Sequence, residues 1–345
     1  MGAINERNYR QNTMAKKGFA LHQENHQITW RKTHISTPAW GYHGKNTYPH
    51  IIPKKIWTEA LWEGIRVDLP KYLIANMVQP HSGVNNLQSS WIACANLYFP
   101  VRIFPDFKKL MLEFLQKKVS SEIIGITDVE LEFAFADELG PAKLLGELDG
   151  SRGSGQTSPD VAFVVKTKTG EGVILTECKY TEHSFYSCSA RTTEDSERRP
   201  KNPDPDRCMK PAMICIYKKI CHQTIWRRKY WSHLHLSSLG LKNLTRCPAA
   251  TAGYQLFRQQ ALAEGISNSG RFSLVASTVA FDARNTNLIG CMKTTGIPDF
   301  QVNWSPIYTS TAIFKTWTHQ EWVDFVRTKK GNPDWLQYIK ERYDY

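Results

Sequence analysis

The clearest alternation of apolar and polar positions lies in residues 105–118, directly after Pro105. Apolar residues recur there at helical spacing, and lysines occupy other positions, so this stretch predicts an amphipathic helix. The apolar positions are Phe107, Leu110, Met111, Phe114 and Leu115. A second helix is predicted upstream over residues 84–100, where VNNLQSSWIACANLYFP enters the core.

Strand patterns follow this helical part. DVELEFAFADE (residues 128–138) alternates or runs apolar over strand length, and the turn-rich LDGSRGSGQTSPD separates it from DVAFVV and VILTECKY. These two apolar runs, joined by a Gly- and Lys-rich turn, predict a β-hairpin with its turn near Thr169 and Gly170.

The remaining chain changes pattern several times. The polar stretch 190–207 is predicted to loop out, and residues 213–231 show a helical pattern again. Residues 251–265 predict a helix that ends at Gly265, and 271–282 a buried strand. Thr318 and Glu321 predict a capping box, and a terminal helix contains Trp335, Tyr338 and Ile339.

These patterns divide the chain into four parts. Residues 1–82 form an N-terminal arm with short helices, 83–182 the first part of a core, 183–250 a basic insert, and 251–345 the second part of the core with C-terminal helices.

Composition supports a folded, enzyme-sized protein. The 345 residues are 41% hydrophobic and 22% charged, which is typical of globular chains. No apolar run approaches the roughly 20 residues of a membrane span, and the N-terminus lacks the apolar centre of a signal peptide. We therefore expect a cytoplasmic location. Eight cysteines are too few for a disulfide scaffold.

The predicted hairpin carries the residues with the clearest chemistry. Side chains alternate along a strand, so Glu177 and Lys179 share one face while Cys178 points away. With the turn near residue 169, pairing places Asp160 opposite roughly Cys178 or Lys179. Two converging carboxylates suit Mg²⁺ or Mn²⁺. A lysine beside a metal-bound water can position it, stabilise transition-state charge or act as a base.

Phosphodiester hydrolysis is the reaction that this arrangement suits. A solvated hairpin face with cross-strand ion pairs is the alternative interpretation. The apolar strands favour burial, and buried charges need partners or a metal.

At these residues the chain resembles the PD-(D/E)xK nuclease superfamily. The motifs are Pro159-Asp160 and Glu177-Cys178-Lys179 in a strand–turn–strand context. The resemblance extends to a restriction-endonuclease-like branch of bacterial proteins with an NxxSS-type helix, a GS-rich turn and an E-x-K-Y-T-E strand. It covers about 84–182 and 251–282; the three motifs fall at 86–96, 153–160 and 177–182.

The resemblance implies an α/β fold with a restriction-endonuclease-like core, in which helices flank a central mixed β-sheet, plus the basic, Cys-containing insert. It implies Asp160 and Glu177 as metal ligands, the Cys178 carbonyl as a further contact, and Lys179 as the residue that assists the attacking water. A further acid is common in this superfamily, and Glu147 and Glu113 are the two candidates.

The basic charge is concentrated in residues 183–250. The whole chain has a formal net charge of +12, and this segment holds 13 Lys and Arg against 5 Asp and Glu. We predict that Arg227, Arg228 and Lys229 contact DNA phosphates, whereas Trp226 and Trp231 are core residues. On the following helix, Gln255 and Arg258 could approach a phosphate, with core packing or a solvated face as the alternatives.

The same segment holds five cysteines: Cys188, Cys208, Cys215, Cys221 and Cys247. Related nucleases sometimes carry a structural metal, but no CxxC pair is present. The sequence therefore favours ordinary buried thiols over a structural zinc ion or an iron–sulfur cluster.

Together these observations predict a Mg²⁺- or Mn²⁺-dependent DNA endonuclease in restriction or defence, with RNA or branched DNA as alternative substrates. Cleavage of both strands with one site per chain favours a homodimer. The rival hypothesis is a nucleic-acid-binding protein with an inert or activator-dependent nuclease core, which would retain DNA in EDTA and leave it uncut in Mg²⁺.

Overall fold

The computed structural model describes residues 18–147, 150–192, 196, 199–210 and 216–345. A short hairpin of β1 (Gly41–His43) and β2 (Asn46–Tyr48) precedes a five-stranded sheet. The strands of this sheet are β3 (Ile123–Leu131), β4 (Val161–Thr167), β5 (Glu171–Lys179), β6 (Leu274–Phe281) and β7 (Ile313–Thr318), in the order β3-β4-β5-β6-β7.

The sheet is mixed. β3, β4 and β5 pair antiparallel, whereas β5, β6 and β7 pair parallel. With helices packed against it, this sheet confirms the α/β, restriction-endonuclease-like fold class.

Five described helices precede the sheet: α1 (Phe19–His34), α2 (Asp68–Ala75), α3 (Ser90–Tyr98), α4 (Pro100–Ile103) and α5 (Pro105–Lys118). Those between its strands are α6 (Pro141–Leu145), α7 (Tyr217–Ile220), α8 (Tyr230–His233), α9 (Ser238–Asn243), α10 (Tyr254–Asn268), α11 (Thr286–Ile289) and α12 (Phe300–Asn303). Helices α13 (His319–Thr328) and α14 (Pro333–Tyr343) follow β7. Short 3₁₀ turns lie at Lys54–Ala60, Glu63–Ile65, Arg207–Met209, His222–Thr224, Lys293–Thr295 and Ser305–Ile307.

Two hydrophobic cores cover the two faces of the sheet. Strand residues alternate between them: Phe163 and Ile174 pack in the first core, while Ala162 and Leu175 pack in the second. Helices α3, α5, α13 and α14 contribute to the first core. Helix α10 and the segment between β5 and α10 contribute to the second. The sheet is therefore buried on both sides, which explains its nearly continuous apolar strands.

The basic segment supplies much of the second core. Phe185, Tyr230 and Trp231 are buried there, and Trp226 is 6% exposed, so the prediction of Trp226 and Trp231 as core residues is confirmed. The helical pattern over 213–231 does not correspond to one continuous helix: in the described part the chain forms α7, a 3₁₀ turn and α8. Arg227 adopts a left-handed φ of 59° between them, which a continuing right-handed helix does not allow. Residues 211–215 lie outside the described part.

Several predicted boundaries also move. The helix predicted from residue 84 begins at Ser90, because residues 83–89 form turns in which the Gln88 amide donates to Asn86 Oδ1 at 2.9 Å. The strand predicted over 128–138 ends at Leu131, since Glu132 has a φ of 48°. Helix α10 continues through Gly265, where a Cβ would lie 3.2 Å from the His233 ring, so this glycine serves close packing.

The amphipathic helix after Pro105, the hairpin strands, the buried strand β6 and the Thr318–Glu321 capping box are confirmed. Across the described residues, we find no helix with the length and apolar character that a membrane crossing needs.

Candidate active site

Three neighbouring strands carry a carboxylate at the same level of the sheet. Leu131, Val161 and Thr176 are register partners across β3, β4 and β5. One residue beyond this level, Glu132 follows Leu131, Asp160 precedes Val161 and Glu177 follows Thr176. We call these three acids the carboxylate row. The Glu132 amide donates to the Asp160 carbonyl at 3.0 Å.

Asp160 therefore lies beside Glu177, and the pairing opposite Cys178 or Lys179 that was predicted is wrong by one or two residues. The hairpin turn is centred earlier than expected, because Lys166 pairs with Glu171. The Thr167 hydroxyl accepts the Gly170 amide within this tight turn at 3.0 Å. The Asp160 carboxylate still reaches across the hairpin and accepts the Cys178 amide at 2.7 Å.

Lys179 lies next to the carboxylate row, on the face predicted for it. Its Nζ is 2.7 Å from Glu177 Oε1, and the two side chains are 3% and 9% exposed. Burial alone would lower the pKa of Lys179, but the charges of Glu177, Glu182 and Asp160 raise it above its ordinary value. Lys179 is thus a protonated donor at neutral pH.

Burial and mutual repulsion act in the opposite sense on the acids. Burial, then the charge of Glu177, raises the pKa of Asp160 well above its ordinary value. Burial, then the charges of Asp160 and Glu177, does the same for Glu132. A divalent cation relieves such repulsion, and carboxylate oxygens are the donors that Mg²⁺ prefers.

The donor set therefore fits a hard cation, although in the described ranges no three His, Cys, Asp or Glu side chains are already grouped as metal ligands. Mg²⁺ usually keeps several waters and takes only one or two carboxylates from the protein, so a partial oxygen shell is what this site offers.

Glu132 was not predicted as a site residue from the sequence. It follows β3 in a left-handed conformation, and Arg152 fixes it: Arg152 Nε donates to the Glu132 carbonyl at 3.0 Å and Nη2 to the Leu131 carbonyl at 2.8 Å. No motif marks Glu132; only the pairing of β3 with β4 brings it to Asp160. Glu182, which accepts the Tyr180 amide at 2.8 Å, was within the E-x-K-Y-T-E segment.

The two acids considered as further ligands lie elsewhere. Glu147 is buried, and it accepts hydrogen bonds from Thr157, Tyr230 and Arg258. Glu113 is on the surface, where Oε2 pairs with Lys329 Nζ at 2.6 Å. Neither belongs to the carboxylate row.

Cys178 directs its side chain into the first core, next to Cys94. Burial raises the pKa of the Cys94 thiol to about 11 and that of Cys178 well above its ordinary value. Both thiols stay protonated, so Cys178 can offer a metal only its backbone carbonyl.

His319 supports Lys179 from behind. Its Nε2 is 3.1 Å from the Lys179 carbonyl and its Nδ1 is 3.0 Å from the Tyr98 hydroxyl. Burial lowers the pKa of His319 to about 4, so it is a neutral positioning residue. The Asp282 amide donates to the same carbonyl at 3.1 Å.

The predicted DNA-contacting residues separate into two groups. Arg227 and Lys229 are exposed. Arg228 and Arg258 line one open cavity of about 220 Å³ with Gln156, four residues before Asp160. Arg258 is also held in the fold, since its Nε lies 3.1 Å from Glu147 Oε1.

Gln255 precedes Arg258 on α10. Its Oε1 is buried without a hydrogen-bond partner.

One comparison with known proteins gives a match. A family model described as "Restriction Endonuclease associating with ARP" matches residues 23–344. No curated protein and no solved structure matches the chain significantly.

Proposed function

Because the chain belongs to the family of restriction endonucleases associating with ARP, we propose that it is a metal-dependent nuclease of the PD-(D/E)xK type that hydrolyses phosphodiester bonds in DNA. Its biological role is in restriction or defence. The observation that carries this proposal is the buried carboxylate row with protonated Lys179 beside it.

In this proposal Asp160 and Glu177 hold Mg²⁺ or Mn²⁺, Glu132 contributes a third carboxylate, and the Cys178 carbonyl is a further contact. The bound ion supplies charge neutralisation and a more acidic water. Lys179 donates hydrogen bonds to the attacking water and to the phosphate oxygens, where its charge stabilises the transition state. His319 keeps the Lys179 backbone in place.

Arg227, Arg228, Lys229 and Arg258 are the proposed contacts to the DNA backbone. The cavity lined by Arg228 and Arg258 adjoins the segment that leads to Asp160, so a phosphate there would continue the strand that enters the site. A homodimer would place two such sites on the two strands of a duplex.

The test is cleavage of supercoiled plasmid, linear duplex, single-stranded DNA and RNA by the full chain in Mg²⁺, Mn²⁺ or EDTA. We expect DNA cleavage only with metal, and a loss of about 100-fold or more in Glu177→Gln and Lys179→Met. Glu171→Gln is the matched control, because Glu171 is an exposed acid on the same strand, β5. Light scattering with duplex bound reports whether the active form is a dimer.

Cleavage in EDTA, or an equal loss in all three variants, contradicts the proposed chemistry. Binding of DNA by the wild-type chain without cleavage of any substrate would favour the rival hypothesis of an inert or activator-dependent core.

A further inference from the structure

Four cysteines from distant parts of the chain line one cavity outside the carboxylate row. Cys188 follows β5, Cys208 lies in a 3₁₀ turn, Cys221 follows α7, and Cys247 precedes α10. We call this space the cysteine cavity. All four cysteines are free, and Cys215 lies outside the described residues.

The surroundings of the cysteine cavity favour negative charge at its centre. Arg191 and Arg207 line it, and none of its described lining residues is an acid. Both arginines are fixed by main-chain carbonyls: Arg191 Nη1 donates to Ala250 at 3.2 Å and Arg207 Nη1 to Ile220 at 3.3 Å.

An N–H group is also directed at one of the sulfur atoms, since Gln223 Nε2 donates to Cys188 Sγ at 3.3 Å. Such a donor stabilises thiolate sulfur, and metal ligation requires the thiolate. Burial raises the pKa of the four thiols, so without a cation they stay protonated.

The size of the cysteine cavity distinguishes between metal centres. A single zinc ion holds its sulfurs at about 2.3 Å, hence about 4 Å from one another, and leaves no space between them. The cysteine cavity instead leaves about 20 Å³ of open space, so its four cysteines surround a gap and do not meet at the position of one ion. Among the residues that the structure describes, no three His, Cys, Asp or Glu are grouped to hold one ion.

From this geometry we propose that Cys188, Cys208, Cys221 and Cys247 ligate a [4Fe–4S] cluster. Four thiolates are the usual ligands of such a cluster, and each cysteine releases its proton when the cluster is bound. Arg207 offsets the negative charge of the cluster and its thiolates. Arg191 does so in part, because it also pairs with Asp206 at 2.7 Å. The cluster joins four segments of a region whose described helices are short.

The test is metal and sulfide analysis of the full chain, purified without oxygen and reconstituted with iron and sulfide. We expect about four irons and four acid-labile sulfides per chain, with the visible absorbance and, after reduction, the electron paramagnetic resonance signal of a cubane cluster. Cys188→Ser and Cys221→Ser should lose the cluster. Cys291→Ser is the matched control, because Cys291 is a half-buried cysteine outside the cavity.

Three outcomes overturn the proposal. Stoichiometric zinc without iron would show that the cysteines bind a single zinc ion. Absence of both metals would show that they are ordinary thiols. Disulfide-linked peptides from these cysteines would show a disulfide cross-link. If the serine variants do not fold, the iron and sulfide content of the wild-type chain decides. Because these readouts do not involve cleavage, they are separate from the test of nuclease activity.

Discussion

At the residue scale, Asp160 is the member of the carboxylate row with acids on both sides. Its folded-state pKa is raised above the unfolded value by burial and by Glu177. Its contribution to stability is therefore full below the unfolded pKa of about 3.9 and is lost as pH rises through the folded pKa. Asp160→Asn removes this charge, and its amide oxygen can still accept the Cys178 amide.

We expect Asp160→Asn to melt at a higher temperature than the wild-type chain at pH 8 in EDTA. Mg²⁺ at 100 times its dissociation constant should stabilise the wild-type chain by about 2.7 kcal/mol and so raise its melting temperature. The melting temperature of the variant should not change with Mg²⁺. Thermal denaturation with and without Mg²⁺ measures both effects. Glu171→Gln is the control, and an equal Mg²⁺ response in Asp160→Asn would exclude this carboxylate as a ligand.

His319 gives a second, opposite pH dependence. Its pKa is about 4 in the folded protein and about 6.5 when unfolded, so the unfolded chain takes up the proton first as pH falls. Stability should decline from about pH 6.5 and level off near pH 4, losing about 2 kcal/mol by pH 5. His319→Gln can keep both hydrogen bonds without titrating.

Urea unfolding at pH 7 and pH 5 should thus show a smaller difference in His319→Gln than in the wild-type chain. The exposed His43 provides the control variant, His43→Gln. Identical pH dependence in all three proteins would refute the role of a neutral, buried His319.

The sequence predicted the site residues whose partners lie nearby in the chain, and it missed the one whose partner comes from a separate strand. Asp160, Glu177 and Lys179 come together through one hairpin, whose pairing follows from local alternation. Glu132 joins them only because β3 pairs with β4 and because Glu132 leaves β3 with a left-handed φ. A turn shifted by one residue moved the predicted partner of Asp160 but kept the face of Glu177 and Lys179.

At the scale of elements, the sequence correctly predicted the helices and strands that have a clear apolar pattern of their own. Helix α5 is correct because its apolar positions follow the helical period, and strands β4, β5 and β6 are correct because each is a short, nearly continuous apolar run. The segment 213–231 shows where this kind of prediction fails. Its aromatic residues reach the second core from several short elements, so the helical spacing in the sequence does not correspond to one helix. Tertiary packing decides such segments.

An ion pair with a buried carboxylate connects α10 to the residues that follow α6. Glu147, after α6, is 2% exposed and meets Arg258 of α10. Arg258→Ala leaves that carboxylate buried without its counter-charge, and we expect a loss of about 3–5 kcal/mol in the free energy of unfolding. Urea denaturation at pH 7 measures this.

The double variant Glu147→Gln/Arg258→Ala should recover part of the loss, because it removes the unpaired charge. A stability loss below 1 kcal/mol in Arg258→Ala, combined with weaker DNA binding, would instead assign Arg258 mainly to the DNA.

At the scale of the whole molecule, α1 and α14, the first and last described helices, contact each other beside the end of β5, the strand that carries Glu177 and Lys179. Gln23 of α1 accepts the Tyr180 hydroxyl at 2.7 Å, and Gln27 Nε2 donates to Tyr180 and to the Arg342 carbonyl of α14 at 3.2 and 2.6 Å. Tyr180 directly follows Lys179. The matched range 23–344 includes most of α1 and all of α14, so both helices are part of the structural unit that carries the site.

Tyr180→Phe tests this connection, since it leaves a buried Gln23 oxygen without its donor and should cost about 1–3 kcal/mol. If α1 and α14 unfold together with the sheet, far-UV circular dichroism and tryptophan fluorescence will report one coincident transition at a lower urea concentration. Two separated transitions would show that α1 and α14 unfold before the sheet. In that case the cleavage rate should fall at urea concentrations below the global transition, because the helices that contact Tyr180, next to Lys179, are already unfolded. Tyr42→Phe, at an exposed tyrosine, should change neither transition.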